Sequence, residues 1–218
     1  MRIQLVRGDS VEEIDLVPSK IVGIGVNYRA HAIEMGKGLP EEPLMFLKPR
    51  SAVLSTGGVI ERPGGYERVD YEGELGVVIG TRAQRVPRER ALEFVMGFTC
   101  VNDVTVRDLQ KTDGQWTRAK GFDTFCPIGP RIVAGLDPSH LKISTRVNGE
   151  IKQDSSTADL IFDVPTIIAF VTQHMTLEVG DVISTGTPSG VGNLSPGDRV
   201  EVEIEGIGVL SNTVIARS

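Results

Sequence analysis

Asp70-Tyr71-Glu72-Gly73-Glu74-Leu75-Gly76-Val77-Val78-Ile79 is the stretch on which the reading of this 218-residue chain turns. In an extended strand, side chains two apart share a face, about 6.5 Å apart along the chain. Glu72 and Glu74 therefore stand side by side, and the apolar run Val77-Val78-Ile79 puts the strand inside the molecule. Burying two unpaired carboxylates is costly, and a divalent cation between them removes that cost. Gly73 leaves room on the opposite face for another backbone. The plain alternative is a solvated edge with two surface glutamates.

Asp103 sharpens the choice. It follows a short strand expected over residues 98–101 and opens a helix expected over 103–110. On that helix Asp103, Arg107 and Gln110 fall at i, i+4 and i+7 and form one polar column. The bland reading is an N-cap with an i,i+4 salt bridge. Glu72, Glu74 and Asp103 together are an all-carboxylate set, and hard oxygen ligands select Mg²⁺, Mn²⁺ or Ca²⁺ over zinc or copper.

Outward from this centre the chain reads as many short strands and few helices. Residues 1–17 form a strand pair around Arg7-Gly8-Asp9-Ser10, a short N-terminal extension to a main body over 18–218. Residues 21–26 (IVGIGV) are a buried strand whose two glycines imply close contact. Asn27 is placed to cap a helix over 28–35 that Gly36 stops, with loop over 37–43. Strands are expected at 44–48, 59–60, 182–185, 199–204 and 209–215. Asn148-Gly149 joins strands at 143–147 and 150–153 as a hairpin. Asp163 and Pro165 open a helix over 166–174, and Pro87 opens another over 88–95. The sum is one α+β fold dominated by β-strands.

Composition narrows the function. A net charge of −6 and no basic stripe argue against a nucleic-acid partner. Cys100 and Cys126 have no metal-like spacing and read as buried thiols of a cytoplasmic protein. No apolar run approaches the ~20 residues of a membrane span, and residues 1–10 lack the apolar core of a signal peptide. Gly23-Ile24-Gly25 is no dinucleotide fingerprint, because Tyr28 stands where the third glycine belongs.

Other residues carry two readings each. His31 and Glu34 at i, i+3 are a base with its orienting carboxylate, or a common surface pair. Lys48 and Lys120 are surface lysines or site cations. The turn Thr185-Gly186-Thr187-Pro188-Ser189-Gly190-Val191-Gly192 is a plain loop or a cradle of backbone N–H groups for a carboxylate.

A family resemblance gathers these pieces. Gly25-Val26-Asn27-Tyr28, His31-x-x-Glu34, Phe46-Leu47-Lys48-Pro49, Asp70-Tyr71-Glu72-Gly73-Glu74-Leu75, Val101-Asn102-Asp103-Val104-Thr105, Arg107-Asp108-Leu109-Gln110, Lys120-Gly121-Phe122-Asp123, Ile183-Ser184-Thr185-Gly186-Thr187-Pro188 and Gly190-Val191-Gly192 occur in the order of the fumarylacetoacetate hydrolase family. Over residues 21–215 the chain resembles its short acylpyruvase-like and oxaloacetate decarboxylase-like members. Leu160, where members often carry Met, is a volume-conserving departure. The resemblance implies a mixed β-roll, a homodimer, and Mg²⁺ or Mn²⁺ at Glu72, Glu74 and Asp103. It implies a catalytic His31–Glu34 dyad with Lys120 beside it, and substrate contacts from Arg107, Gln110 and Thr187. Lys48 is expected to join them. The expected activity is metal-dependent hydrolysis of a C–C bond in a small acylpyruvate-like diketo acid. The alternatives are decarboxylation of an oxaloacetate-like acid, or isomerisation of an unsaturated oxo diacid of the 2-hydroxyhepta-2,4-diene-1,7-dioate type. A metal-binding dimer without turnover is the rival from another class.

Overall fold

A computed structural model describes residues 1–36 and 38–217; Lys37, read as part of a loop, lies outside them. The core strand is β8 (Gly73–Ile79), buried at every position. Its double burial explains its apolar second half, since both faces are covered. It pairs antiparallel with β9 (Val95–Asn102) on one side and β14 (Val182–Ser184) on the other. Beyond β9 come β11 (Cys126–Val133), β1 (Arg2–Arg7) and β2 (Ser10–Asp15). Beyond β14 come β3 (Ile21–Gly25) and the edge strand β4 (Leu44–Lys48), and β5 (Val53–Ser55) adds to β11. This nine-stranded mixed sheet packs against a five-stranded one. The smaller sheet runs β13 (Glu150–Ser156), β12 (Lys142–Val147), β16 (Arg199–Ile204), β17 (Gly208–Ala216) and β6 (Val59–Arg62). Leu75, Val77, Ile143, Val202 and Leu210 meet in the core between them. A third ribbon, β10 (Thr105–Val106), β7 (Val69–Tyr71) and β15 (Gly192–Asn193), leads into the site. The fold is α+β, predominantly β, in the expected roll.

Helices are few: α1 (Arg29–Glu34), α2 (Arg107–Thr112), α3 (Thr117–Lys120) and α4 (Val164–His174). Asp163 caps α4 as expected, accepting from Thr166 N at 2.9 Å. None of the described helices is long and apolar enough to cross a membrane.

Four sequence expectations need correction. Residues 103–106 are not helical, because Thr105 and Val106 pair with Asp70 and Val69; strand pairing overrides the i,i+4 pattern and α2 starts only at Arg107. Asn27 does not cap α1; its amide instead donates to Phe162 O and Thr185 O at 3.0 and 2.7 Å. Residues Arg88–Phe94 form a 3₁₀ helix, and Val95 already belongs to β9. Strand β11 was not foreseen. It carries Gly129 and Pro130, two residues that break a strand pattern, yet it joins β1 to β9.

The glycines of β3 do what close contact requires. A Cβ on Gly23 would lie 2.1 Å from the Phe46 ring, and one on Gly25 would lie 2.6 Å from Trp116. Both aromatics wall the functional cleft.

Asp181 ties β14 to the segment before β3. It is fully buried. It accepts from Ser19 N (2.8 Å), Ser19 Oγ (2.7 Å), Lys20 N (3.1 Å), Lys20 Nζ (2.5 Å) and Glu178 N (2.8 Å). Although burial opposes its charge, the bonds from Lys20, Glu178 N and Ser19 hold its carboxyl below the usual range. An amide in its place would turn one acceptor into a donor facing donors. Asp181→Asn is expected to lose about 2–3 kcal/mol at pH 7 by urea unfolding. A carboxyl more acidic in the folded state stabilises fully above its unfolded value, about 3.9, and ceases to as pH falls through the folded one. The wild-type advantage should therefore be full at pH 7 and shrink below about pH 4.

Candidate active site and metal centre

Strand register assembles the site. Gly73 pairs with Asn102 and Glu74 with Val101, so the end of β9 delivers Asp103 opposite Glu72. Asp103 N donates to Glu72 O at 2.8 Å, and Asn102 Oδ1 accepts from Glu72 N at 3.0 Å. Glu72, Glu74 and Asp103 are buried, and each offers an oxygen within 4.8 Å of the others. Among the described residues they form the one group of acids, histidines or cysteines close enough to share an ion.

Three cations surround them. Lys120 Nζ donates to Glu72 Oε2 at 2.9 Å, Asp103 Oδ2 at 2.5 Å and Thr105 Oγ1 at 2.8 Å. Arg107 pairs through Nη2 with Glu72 Oε1 at 2.5 Å and through Nε with Asp70 Oδ2 at 2.8 Å. Its Nη1 donates to Gln110 Oε1 at 2.7 Å. Lys48 Nζ contacts Asp103 Oδ1 and donates to Phe125 O at 2.7 Å. Half-exposed Arg68 also donates through Nε to Asp70 Oδ1 at 2.8 Å. Of the four buried acids Asp70, Glu72, Glu74 and Asp103, Glu74 is the one to which none of these bases is bonded. Burial, then Asp103 and Glu72, push its carboxyl up to about 8. Burial opposes charge on Glu72 too, but Lys120, Arg107 and His31 outweigh it and hold Glu72 well below the usual range. Burial likewise opposes charge on Lys120, yet Asp103 and Glu72 raise its pKa and keep the ammonium charged.

The carboxylates fit a divalent cation. The donors are all hard oxygens, and Glu74 is a buried carboxyl with no base bonded to it, so its ionised form lacks a partner that a cation would supply. Ser184 Oγ and Gly186 N both donate to Glu74 Oε2, at 2.5 and 2.8 Å, which fixes that carboxylate's orientation.

The triad opens onto a cleft of about 350 Å³, its open mouth included, whose wall holds His31, Arg107, Gln110, Lys120 and Thr187. The expected dyad is in place. His31 is 5% exposed, and its Nδ1 lies 2.8 Å from Glu34 Oε2. A carboxylate only accepts, so Nδ1 carries a proton, and in the neutral ring the lone pair is on Nε2. Gly190 N holds the other Glu34 oxygen at 3.0 Å. Phe46 and Trp116 pack with their rings tilted by 58° and their centres 5.5 Å apart, and Lys120 Nζ sits 4.7 Å from the centre of the Phe46 ring. Val26 also lines the cleft, at φ +54°, a strained setting for a β-branched residue.

Two of the expected site residues, Glu34 and Lys48, do not line the cleft; Glu34 reaches it only through His31. Lys48 lies on the other side of the triad. It is fully buried behind Asp103, its ammonium directed at that carboxylate and at main-chain carbonyls. It supports Asp103 and does not face a ligand. The room expected opposite Gly73 is filled by side chains, Thr145 and Gln153, rather than by a backbone. Asp70, Gln153 and Ser184 are the residues the pattern missed. Asp70 carried a signal, as an acid two positions before Glu72, and Ser184 directly precedes the turn read as a carboxylate cradle; Gln153 sits in a segment whose local pattern says nothing of the site.

The family "Fumarylacetoacetate (FAA) hydrolase C-terminal" matches residues 20–215. The chain belongs to this family. A Methanocaldococcus jannaschii protein described as uncharacterized is 55% identical over 207 residues, covering 95% of this chain and 87% of its own. The Bacillus subtilis oxaloacetate tautomerase YisK is 46% identical over 214 residues, covering 90% of this chain and 70% of its own. The crystal structure of the 5-carboxymethyl-2-hydroxymuconate delta-isomerase from Mycobacterium smegmatis superposes with a TM-score of 0.88 at 45% identity, over 95% of this chain and 81% of that one. The protein is an enzyme of the fumarylacetoacetate hydrolase family with a carboxylate set that can hold a divalent cation.

A carboxyl raised to about 8 is mostly protonated at pH 7, so a cation must displace its proton. Calorimetry in buffers of different ionisation heat should register close to one proton released per Mg²⁺ or Mn²⁺ bound at pH 7. Affinity should climb, by up to about tenfold per pH unit, until pH passes about 8. Glu74→Gln should abolish both the proton release and the rise in Tm that the cation produces.

Proposed function

We propose that the site catalyses proton transfer at C3 of a small 2-oxo dicarboxylate of the oxaloacetate type, interconverting its enol and keto forms. The observation that carries this reading is buried His31, which lines the same cleft as the carboxylate triad and is held from the cleft's outer side by the more exposed Glu34. Glu34 is held at both oxygens, so His31 has one tautomer and presents Nε2. His31 Nε2 takes a proton from C3 and delivers it to the 2-oxo oxygen, and in the reverse direction moves it from that oxygen back to C3, while Lys120, charged and buried, stabilises the negative charge that gathers on the oxygen between the two transfers. Phe46 and Trp116 keep water from that charge. Mg²⁺ or Mn²⁺ held by Glu72, Glu74 and Asp103 supplies Lewis-acid polarisation of a substrate oxygen. Arg107 and Gln110 shape the end of the cleft that receives a substrate carboxylate. The tautomerase and isomerase names of two relatives support the same class of step. A homodimer, implied by the family resemblance, and a cytoplasmic location, read from the two thiols, accompany this reading.

Hydrolysis of an acylpyruvate-like diketo acid is the second reading, and the same dyad favours it: His31 Nε2 would then take its proton from a water. Decarboxylation needs no base and gives the dyad no task.

His31→Ala is expected to slow the decay of enol oxaloacetate absorbance, and the exchange of C3 protons for deuterium, by about 10²–10⁴-fold at saturating Mg²⁺. Glu34→Gln should follow with a smaller loss. Wild-type rates in His31→Ala would sink the tautomerase reading. Acylpyruvate cleavage by the same preparation, lost in His31→Ala, would put hydrolysis in its place.

A further inference from the structure

Behind the triad a closed ring of hydrogen bonds joins the two sheets. Gln153, on β13, is 1% exposed. Its Oε1 accepts from Gly73 N at 3.0 Å, and its Nε2 donates to Pro188 O and Thr187 Oγ1, both at 2.8 Å. Thr187 Oγ1 lies 3.0 Å from Gly73 O and closes the ring.

Polarity in this ring is not a matter of choice. A backbone N–H only donates and a carbonyl only accepts. Gly73 N therefore demands the carboxamide oxygen, and Pro188 O demands the carboxamide nitrogen. The nitrogen then donates to Thr187, so the threonine oxygen accepts from Gln153. Its own proton goes to Gly73 O, which has nothing to donate. A hydroxyl has one proton and two lone pairs. One lone pair is taken and the proton is taken. What Thr187 has left for the cleft it lines is a single lone pair.

We propose that Gln153 fixes Thr187 as a hydrogen-bond acceptor toward the cleft, so that the site selects a ligand presenting an O–H there, such as an enol or a 2-hydroxy acid. A carboxylate or keto oxygen at that point would face a lone pair and be disfavoured. Gln153 acts through Thr187 and is a positioning residue; Thr187 is the specificity-determining one. The inference rests on the cleft being the oxo-acid site proposed above, but not on the reaction performed there.

The test compares two nearly isosteric diacids, malate, which carries an O–H, and 2-fluorosuccinate, which does not, by calorimetry on the Mg²⁺-loaded protein. Wild type should bind malate roughly three- to tenfold more tightly, the value of one neutral hydrogen bond. Thr187→Ser should keep that preference, and Thr187→Val should erase it. Gln153→Glu, which keeps an acceptor for Gly73 N but removes the Nε2 donor, should weaken the preference while circular dichroism stays native. Equal binding of the two acids by wild type, no binding of malate, or a preference that survives Thr187→Val overturns the proposal. Oxaloacetate tautomerisation measured on the same wild-type sample separates the two claims. An inactive protein that still prefers malate loses the proposed reaction and keeps this assignment.

Discussion

Four buried acids against three buried bases is the constraint around which the site is built. Asp70, Glu72, Glu74 and Asp103 come together because strand register puts them there, and each must be answered locally. Lys48, Lys120 and Arg107 answer three of them at hydrogen-bonding distance. Asp70, Glu72 and Asp103 are each held by two cations, so removing any one base strips a buried carboxylate of half its compensation, which is more destabilising than never having built the pair. The side chains that ready the site for a cation therefore also hold the fold together. Lys48 illustrates this: it lies out of reach of any ligand in the cleft, yet Asp103 is held by it.

Rigidity follows from the same arrangement. Every acid in the triad is held by groups on a different element: Glu72 by α2 and α3, Asp103 by β4 and α3, Glu74 by β14 and the turn after it. A site whose supports converge from several elements has little freedom to relax, and such preorganisation is what electrostatic catalysis requires. The walls are fixed by a different means. Gly23 and Gly25 lack the atoms that would push Phe46 and Trp116 away.

The sequence was most legible where local pattern and tertiary demand agreed. The Glu72–Glu74 spacing with its apolar sequel, the Asn148-Gly149 hairpin and the Asp163 cap are cases where neighbours along the chain carry the whole signal. It failed where a distant partner decided. Asp103 and Arg107 have helical spacing, but pairing of Thr105 with Asp70 claims the residues between them for a strand. Lys48 could be read as a site cation because charge shows in a sequence while direction does not. Gln153 left no trace at all. It is the one fully buried position in a strand whose other residues are exposed or half-buried, and its partners lie 34, 35 and 80 positions away.

The location of Gln153 has a dynamic consequence. Strand β13 is the outer strand of the five-stranded sheet, with β12 on one side and no further strand of that sheet on the other. Outer strands open at lower free energy than central ones, and they do so while the rest of the molecule stays folded. Each such opening would withdraw the carboxamide from Gly73 and Thr187 together. The catalytic cleft, although walled by the deepest strand in the protein, is thereby linked to the breathing of one of its most peripheral ones. Sequence change or crowding along that outer edge can reach the chemistry without touching a single residue of the cleft.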